Sequence, residues 1–240
     1  MAAPRFIFIP GSWHGAWCFD LLLLELQRRA VRCETLDLPG LGDDETPLGE
    51  VTFDAGVQRV VGLIGNRRNV TLVGHSFGAF YATEAAIRAA SKIREVVYLA
   101  SYVPMEGDSF SSQEELVPLE PGVKSLTSRK DDDLLELDPK AAVDFVYSDV
   151  AEGIAAAAAT RIRPQPIAPF REAAISRPES GGLGSLSRRA IVAENDQVLN
   201  PEHCVLAAER AGVVVETIPT GHMPFLSMPK LLADTLLGVS

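Results

Sequence analysis

The feature that most constrains this chain is a rhythm of short, almost unbroken apolar runs separated by longer stretches with helical spacing. The runs Arg5–Ile9, Val31–Leu36, Val70–Val73, Val96–Leu99, Ala190–Ala193 and Val213–Thr217 lack the apolar–polar alternation of a half-exposed strand. Strands buried on both faces need no alternation, and such strands belong to parallel sheets covered by helices on either side. Helical spacing fills residues 16–30, 52–65, 77–90, 201–211 and 225–237. The alternation predicts an α/β fold on a mostly parallel, doubly wound sheet flanked by helices.

The rhythm stops between Tyr102 and Ser187. This stretch carries prolines, an acidic run (Asp131–Asp133) and five alanines at 155–159, with no convincing sheet strand. Leu, Val, Ile and Phe recur through it, which a disordered linker would lack. The expected organisation is a core domain of residues 1–101 and 188–240 and an inserted, mainly helical cap subdomain of residues 102–187. Gly181–Gly184 is the expected hinge back to the sheet, and the alanines are expected in a tightly packed helix.

Composition narrows the function classes. A net charge of −10 without a basic cluster disfavours nucleic acid and anionic membranes as partners. No apolar run approaches the roughly 18 residues of a membrane span, and the N-terminus lacks the basic and apolar regions of a signal peptide. Cys18, Cys33 and Cys204 are odd in number and lack metal-ligand spacing, so they read as small core residues with free thiols in a cytoplasmic protein. The expected partner is a small molecule, and a homodimer is left open.

Chemistry enters at Thr71–Tyr81, T-L-V-G-H-S-F-G-A-F-Y. A Gly-x-Ser-x-Gly match alone arises by chance in about one chain in ten to fifteen of this length. Here it follows an apolar strand and precedes an apolar helix, the setting of a nucleophile elbow. The serine of such a turn takes a strained backbone, so Gly74 and Gly78 must lack side chains for strand and helix to approach. Ser76 is therefore the candidate nucleophile.

A serine hydroxyl needs a base to take its proton. Of four histidines, His75 adjoins Ser76 and must point elsewhere, His14 sits in the first loop, and His203 falls in a helix. His222 follows the last strand, where the base of an elbow-type hydrolase belongs, with the acid between nucleophile and histidine in chain order. The stretch A-E-N-D-Q-V offers Asp196, in the loop beyond the strand, with Glu194 in reserve. Oxyanion donors are expected from the N–H of Phe77, next to the nucleophile, and of Ser12 in the first loop, which Gly11 allows to bend close. Trp13 and His14 read equally as pocket wall or loop packing, Trp17 as core. No phosphate loop, dinucleotide fingerprint or metal-spaced cluster is present, and no metal or cofactor is expected.

The chain resembles the α/β-hydrolase subfamily of plant methylesterases of the salicylate-binding type, the related hydroxynitrile lyases and many bacterial esterases. The resemblance is carried by F-I-F-I-P-G-S-W-H-G-A-W, L-D-L-P-G-L-G, V-G-H-S-F-G-A, R-P-Q-P-I-A-P-F, A-E-N-D-Q-V and G-H-M-P-F-L-S-M-P, in order along nearly the whole chain. It implies the triad Ser76, Asp196 and His222 and a small apolar pocket under the cap. The resembling lyases carry lysine where this chain has Met223, threonine at Gly11 and glutamate at His75, and all three positions read as esterase. The family's usual His-Gly at the first loop is Pro10-Gly11 here. The expected function is cofactor-free hydrolysis of small apolar or aromatic carboxylic esters, with Gly11, Trp13, Tyr102, Phe145 and Met223 as pocket candidates. The alternatives are a lyase-like or other non-hydrolytic enzyme on the same triad and a ligand-binding pseudo-hydrolase.

Overall fold

The computed structural model describes residues 5–121, 127–179 and 182–239. Six parallel strands form the central sheet: β1 (Arg5–Ile9), β2 (Arg32–Thr35), β3 (Val70–His75), β4 (Ile93–Leu99), β8 (Ser187–Ala193) and β9 (Val214–Ile218), in the order β2-β1-β3-β4-β8-β9. The helices α1 (Asp20–Arg28), α2 (Phe53–Ile64), α3 (Gly78–Arg88), α7 (Pro201–Arg210) and α8 (Pro229–Leu237) connect or follow them.

The helix starts are chemically marked. Thr52 accepts the Ala55 N–H at the start of α2, and Asn200 accepts two N–H groups ahead of Pro201 at the start of α7. The final helical segment is not continuous as the spacing suggests. It runs as a short turn, Pro224–Ser227, then α8, because the residue before Pro229 is pushed out of the helical region.

β4 and β8 begin three residues before the apolar runs that reveal them. Their first halves carry Arg94, Glu95, Arg188 and Arg189, and Arg189 pairs with Glu95 at 3.2 Å across the sheet. Only the buried halves are apolar, so only those halves stand out in the sequence. The three cysteines are free, with Cys18 and Cys204 buried.

The stretch between β4 and β8 differs from expectation. Besides α4 (Phe110–Leu116), α5 (Glu152–Ala159) and α6 (Ala168–Glu172), it holds an antiparallel sheet of β5 (Thr127–Arg129), β6 (Leu134–Leu137) and β7 (Gln165–Pro166). Strands this short show no periodicity. The acidic run forms the β5–β6 turn, where the Asp133 N–H donates to the Asp131 side chain at 2.9 Å. The alanines do form a packed helix, with Ala155, Ala158 and Ala159 buried. Of the expected hinge, Gly181 lies outside the described residues, while Gly182 has φ +45° and the next N–H, of Leu183, donates to Glu106. Among the described residues no helix is long and apolar enough to cross a membrane.

Candidate active site

The strand order places a crevice before any side chain is considered. β2 lies on one side of β1, and β3, β4, β8 and β9 lie on the other. The loops leaving the carboxyl ends of β1 and β3 therefore diverge, and ligands of open α/β sheets bind at such a switch point. Ile9 is in register with Gly74, so the first loop and the elbow start side by side.

Ser76 has φ +51°, a left-handed conformation that costs a non-glycine residue about 1 kcal/mol or more. Its N–H donates to the Leu99 carbonyl at 3.2 Å, and its own carbonyl accepts from the Ala79 N–H at 3.1 Å. The flanking glycines have no room for a side chain. A Cβ on Gly74 would lie 2.7 Å from the Ala79 Cα, and one on Gly78 would lie 2.5 Å from the Ile9 carbonyl oxygen. These obstacles are backbone atoms, which cannot swing away.

The other two candidate residues follow β8 and β9. The Glu194 and Asn195 N–H groups donate to the carbonyls of Ile218 and Thr220, both at 2.9 Å, so pairing continues past the strand ends. Asp196 and His222 meet just beyond, Oδ2 to Nδ1 at 2.8 Å, with side chains only 2% and 5% exposed. A carboxylate only accepts, so Nδ1 carries the hydrogen and Nε2 keeps its lone pair. The other oxygen, Oδ1, accepts the N–H groups of Val198 at 2.7 Å and Leu199 at 3.1 Å. Glu194 is exposed and accepts from Thr217 at 2.6 Å instead.

The first loop is braced from both sides. A Cβ on Gly11 would lie 2.9 Å from the Ser76 Cβ, so only glycine lets Ser12 and its N–H pass this close to the elbow. Trp13, at φ +63°, is tied to the segment above: its N–H donates to Gln165 at 3.1 Å and its indole N–H to the Leu135 carbonyl at 3.2 Å. Its carbonyl accepts the Arg163 N–H at 3.0 Å. His14 sits with Nδ1 2.7 Å from the Ser12 carbonyl and Nε2 2.7 Å from the Tyr147 hydroxyl. The carbonyl can only accept, so Nδ1–H donates to it and Nε2 accepts from tyrosine. His75 donates from Nε2 to the His222 carbonyl at 2.9 Å, acting as a strut under that residue.

Burial keeps both supporting histidines neutral. It is the main cause that holds His75 well below the ordinary histidine range and brings His14 down to about 4, and the neighbouring His222 pushes each the same way. The unfolded chain takes up the His14 proton near pH 6.5, the folded chain only near pH 4. Stability from this group is therefore complete above pH 6.5 and lost as pH falls towards 4, by an amount on the order of 3 kcal/mol. Replacing His14 by glutamine should flatten the decline of the urea midpoint between those pH values. An unchanged slope would show that His14 does not report its burial this way.

A cavity of about 250 Å³ opens over Ser76. Ser12, Trp13, His14, His75, Phe77 and His222 form its floor with the serine, and Tyr102, Phe110, Glu114, Leu135 and Phe170 are among the residues above. Phe170 packs on Phe77 with centroids 4.5 Å apart and stacks on Phe110 at 4.7 Å. Of the residues expected in the pocket, Trp13 and Tyr102 line it, while Gly11 lies against Ser76 beneath it. Phe145 and Met223 do not line it. Phe145 is half-buried against the core and its neighbour Val146 faces the cavity, while Met223 is 0% exposed within the core. Phe110, Glu114 and Phe170 are not evident in the sequence as pocket residues. Aromatic residues make up only 7% of the chain, so Phe110 and Phe170 stand out, but Phe145 stands out equally.

A profile of the alpha/beta hydrolase family matches residues 6–235. Carbendazim hydrolyzing esterase from Nocardioides sp. (strain SG-4G) is 38% identical over 108 residues, and this match spans 44% of the present chain and 45% of that relative, less than half its length. Methylesterase 2 of Arabidopsis thaliana is 25% identical over 98% of this chain and 95% of its own. Among solved structures, the methylesterase protein MES16 from Arabidopsis superposes with a TM-score of 0.82 at 23% identity, over 98% of each chain. The family profile runs from β1 into α8 and so takes in every strand and loop that builds the crevice; the chain belongs to the alpha/beta hydrolase family.

Proposed function

We propose that the protein hydrolyses carboxylic esters of small apolar or aromatic compounds through an acyl-enzyme on Ser76. The observation that carries this reading is the buried 2.8 Å bond between His222 and Asp196, opening on the same cavity as a serine held at φ +51°. The names of the relatives, esterases and methylesterases, support it.

Ser76 Oγ attacks the ester carbonyl while His222 Nε2 takes its proton. Charge develops on the carbonyl oxygen, where the N–H groups of Ser12 and Phe77 receive it. The intermediate collapses, the C–O bond to the alcohol breaks, and His222 returns the proton to the departing oxygen. Water, deprotonated by the same nitrogen, then releases the acid and restores Ser76. Asp196 holds the ring and offsets the charge of the imidazolium. Residues 102–187 act as the cap that excludes bulk water and sets substrate size. Met223, apolar and fully buried after His222, supports hydrolysis over the lyase alternative.

A fluorophosphonate probe should label the wild-type protein and leave the Ser76→Ala variant unlabelled. A folded wild type that resists labelling would sink this reading. An ester series graded in acyl and alcohol size would then map both sides of the cavity.

A further inference from the structure

The cavity wall is apolar and aromatic apart from polar groups of the floor and Thr127, with one carboxylate among its lining residues, Glu114. Glu114 follows Phe110 by four residues on α4, so the two share a face of that helix. Phe110 is fixed towards the cavity by its stack on Phe170 at 4.7 Å and its edge contact with Phe77 at 5.0 Å. Gln113, by contrast, turns away and donates to Asp108 at 2.7 Å. Tyr102 shares the wall, and its phenol is pushed up mainly by burial and then by the charge of Glu114, which agrees with a carboxylate nearby.

Among the described residues Glu114 has no hydrogen bond or ion pair, and no lysine or arginine lines the cavity. A carboxylate partly withdrawn from water is stabilised by a cation. Aromatic faces attract the same kind of charge through their ring quadrupoles. Trp13, Phe77, Tyr102, Phe110 and Phe170 line the same cavity as this carboxylate.

We propose that Glu114 determines specificity, directing the cavity to esters that carry a protonated nitrogen and away from esters that carry a second carboxylate. The inference rests on the reading of this cavity as an ester site and names its substrate class: small aromatic esters bearing an amine or a basic heterocycle.

Binding of three non-ester probes of similar size separates this from the hydrolytic reading: 2-phenylethylammonium, 2-phenylethanol and phenylacetate, titrated calorimetrically into the wild type and Glu114→Gln. The wild type should prefer the cation to the anion by about tenfold or more, and the glutamine variant should bring the two within about threefold of each other. Glu114→Lys should invert the order. A preference that survives in Glu114→Gln, arising then from the overall charge of −10, would overturn the proposal. So would a wild type that binds none of the three at millimolar concentration. Fluorophosphonate labelling of the same samples reports on Ser76 alone, so loss of the esterase reading leaves the binding result standing.

Discussion

Replacing Ser76 by alanine should lower kcat for a small aryl ester by roughly 10⁴- to 10⁶-fold while the protein stays folded. The same position carries a second expected effect, on stability. At φ +51° the Cβ of serine is in conflict with its own backbone, and alanine keeps that Cβ. Glycine removes it, so Ser76→Gly should be as inactive as the alanine variant yet more stable than the wild type, by about 1 kcal/mol. Thermal unfolding of the three proteins side by side checks this. An alanine variant that retains hydrolysis would remove Ser76 from the chemistry, and a glycine variant no more stable than alanine would remove the strain.

Asp196→Asn should cost about 10⁴-fold in kcat, and the reason can be followed atom by atom. The Val198 and Leu199 N–H groups both donate to Oδ1, and neither can turn into an acceptor. The single amide oxygen of asparagine must stay with them, which aims its NH2 at His222 Nδ1. That nitrogen then has to accept, the ring hydrogen moves to Nε2, and Nε2, the base of the proposed mechanism, can no longer take a proton. Glu194→Gln is the control: its carboxylate is exposed and engaged by Thr217, so activity should change by less than about twofold. A fully active Asp196→Asn enzyme would show that the tautomer does not matter and would return the assignment of the acid to question.

Much of the fold and most of the candidate triad were legible in the sequence because both rest on local patterns. Buried parallel strands announce themselves as apolar runs, and the elbow glycines are forced by clashes with backbone of the helix start at Ala79, for Gly74, or of the adjoining strand at Ile9, for Gly78. The acid and histidine loops follow strands that were themselves visible. The region over the site was not legible, for a physical reason. β5, β6 and β7 have three, four and two residues, too few for a period to show, and their pairing joins Leu135 to Gln165 across thirty positions. Which aromatic faces the cavity is decided by a turn of the backbone: Val146 points in where Phe145 does not. Likewise, the role of His14 depends on Tyr147, a partner 133 residues away that no short motif encodes.

The three ties from Trp13 to residues 135, 163 and 165 have a consequence for how such proteins diversify. Covers over a common core look interchangeable, as if a new one could be installed while the reaction centre is left alone. In this chain the loop that carries the Ser12 N–H takes its shape in part from the segment between β4 and β8, so a transplanted segment would arrive without the atoms that hold Trp13 at a positive φ. Descent with a changed cover would have to re-create those three bonds before, or together with, any new substrate preference.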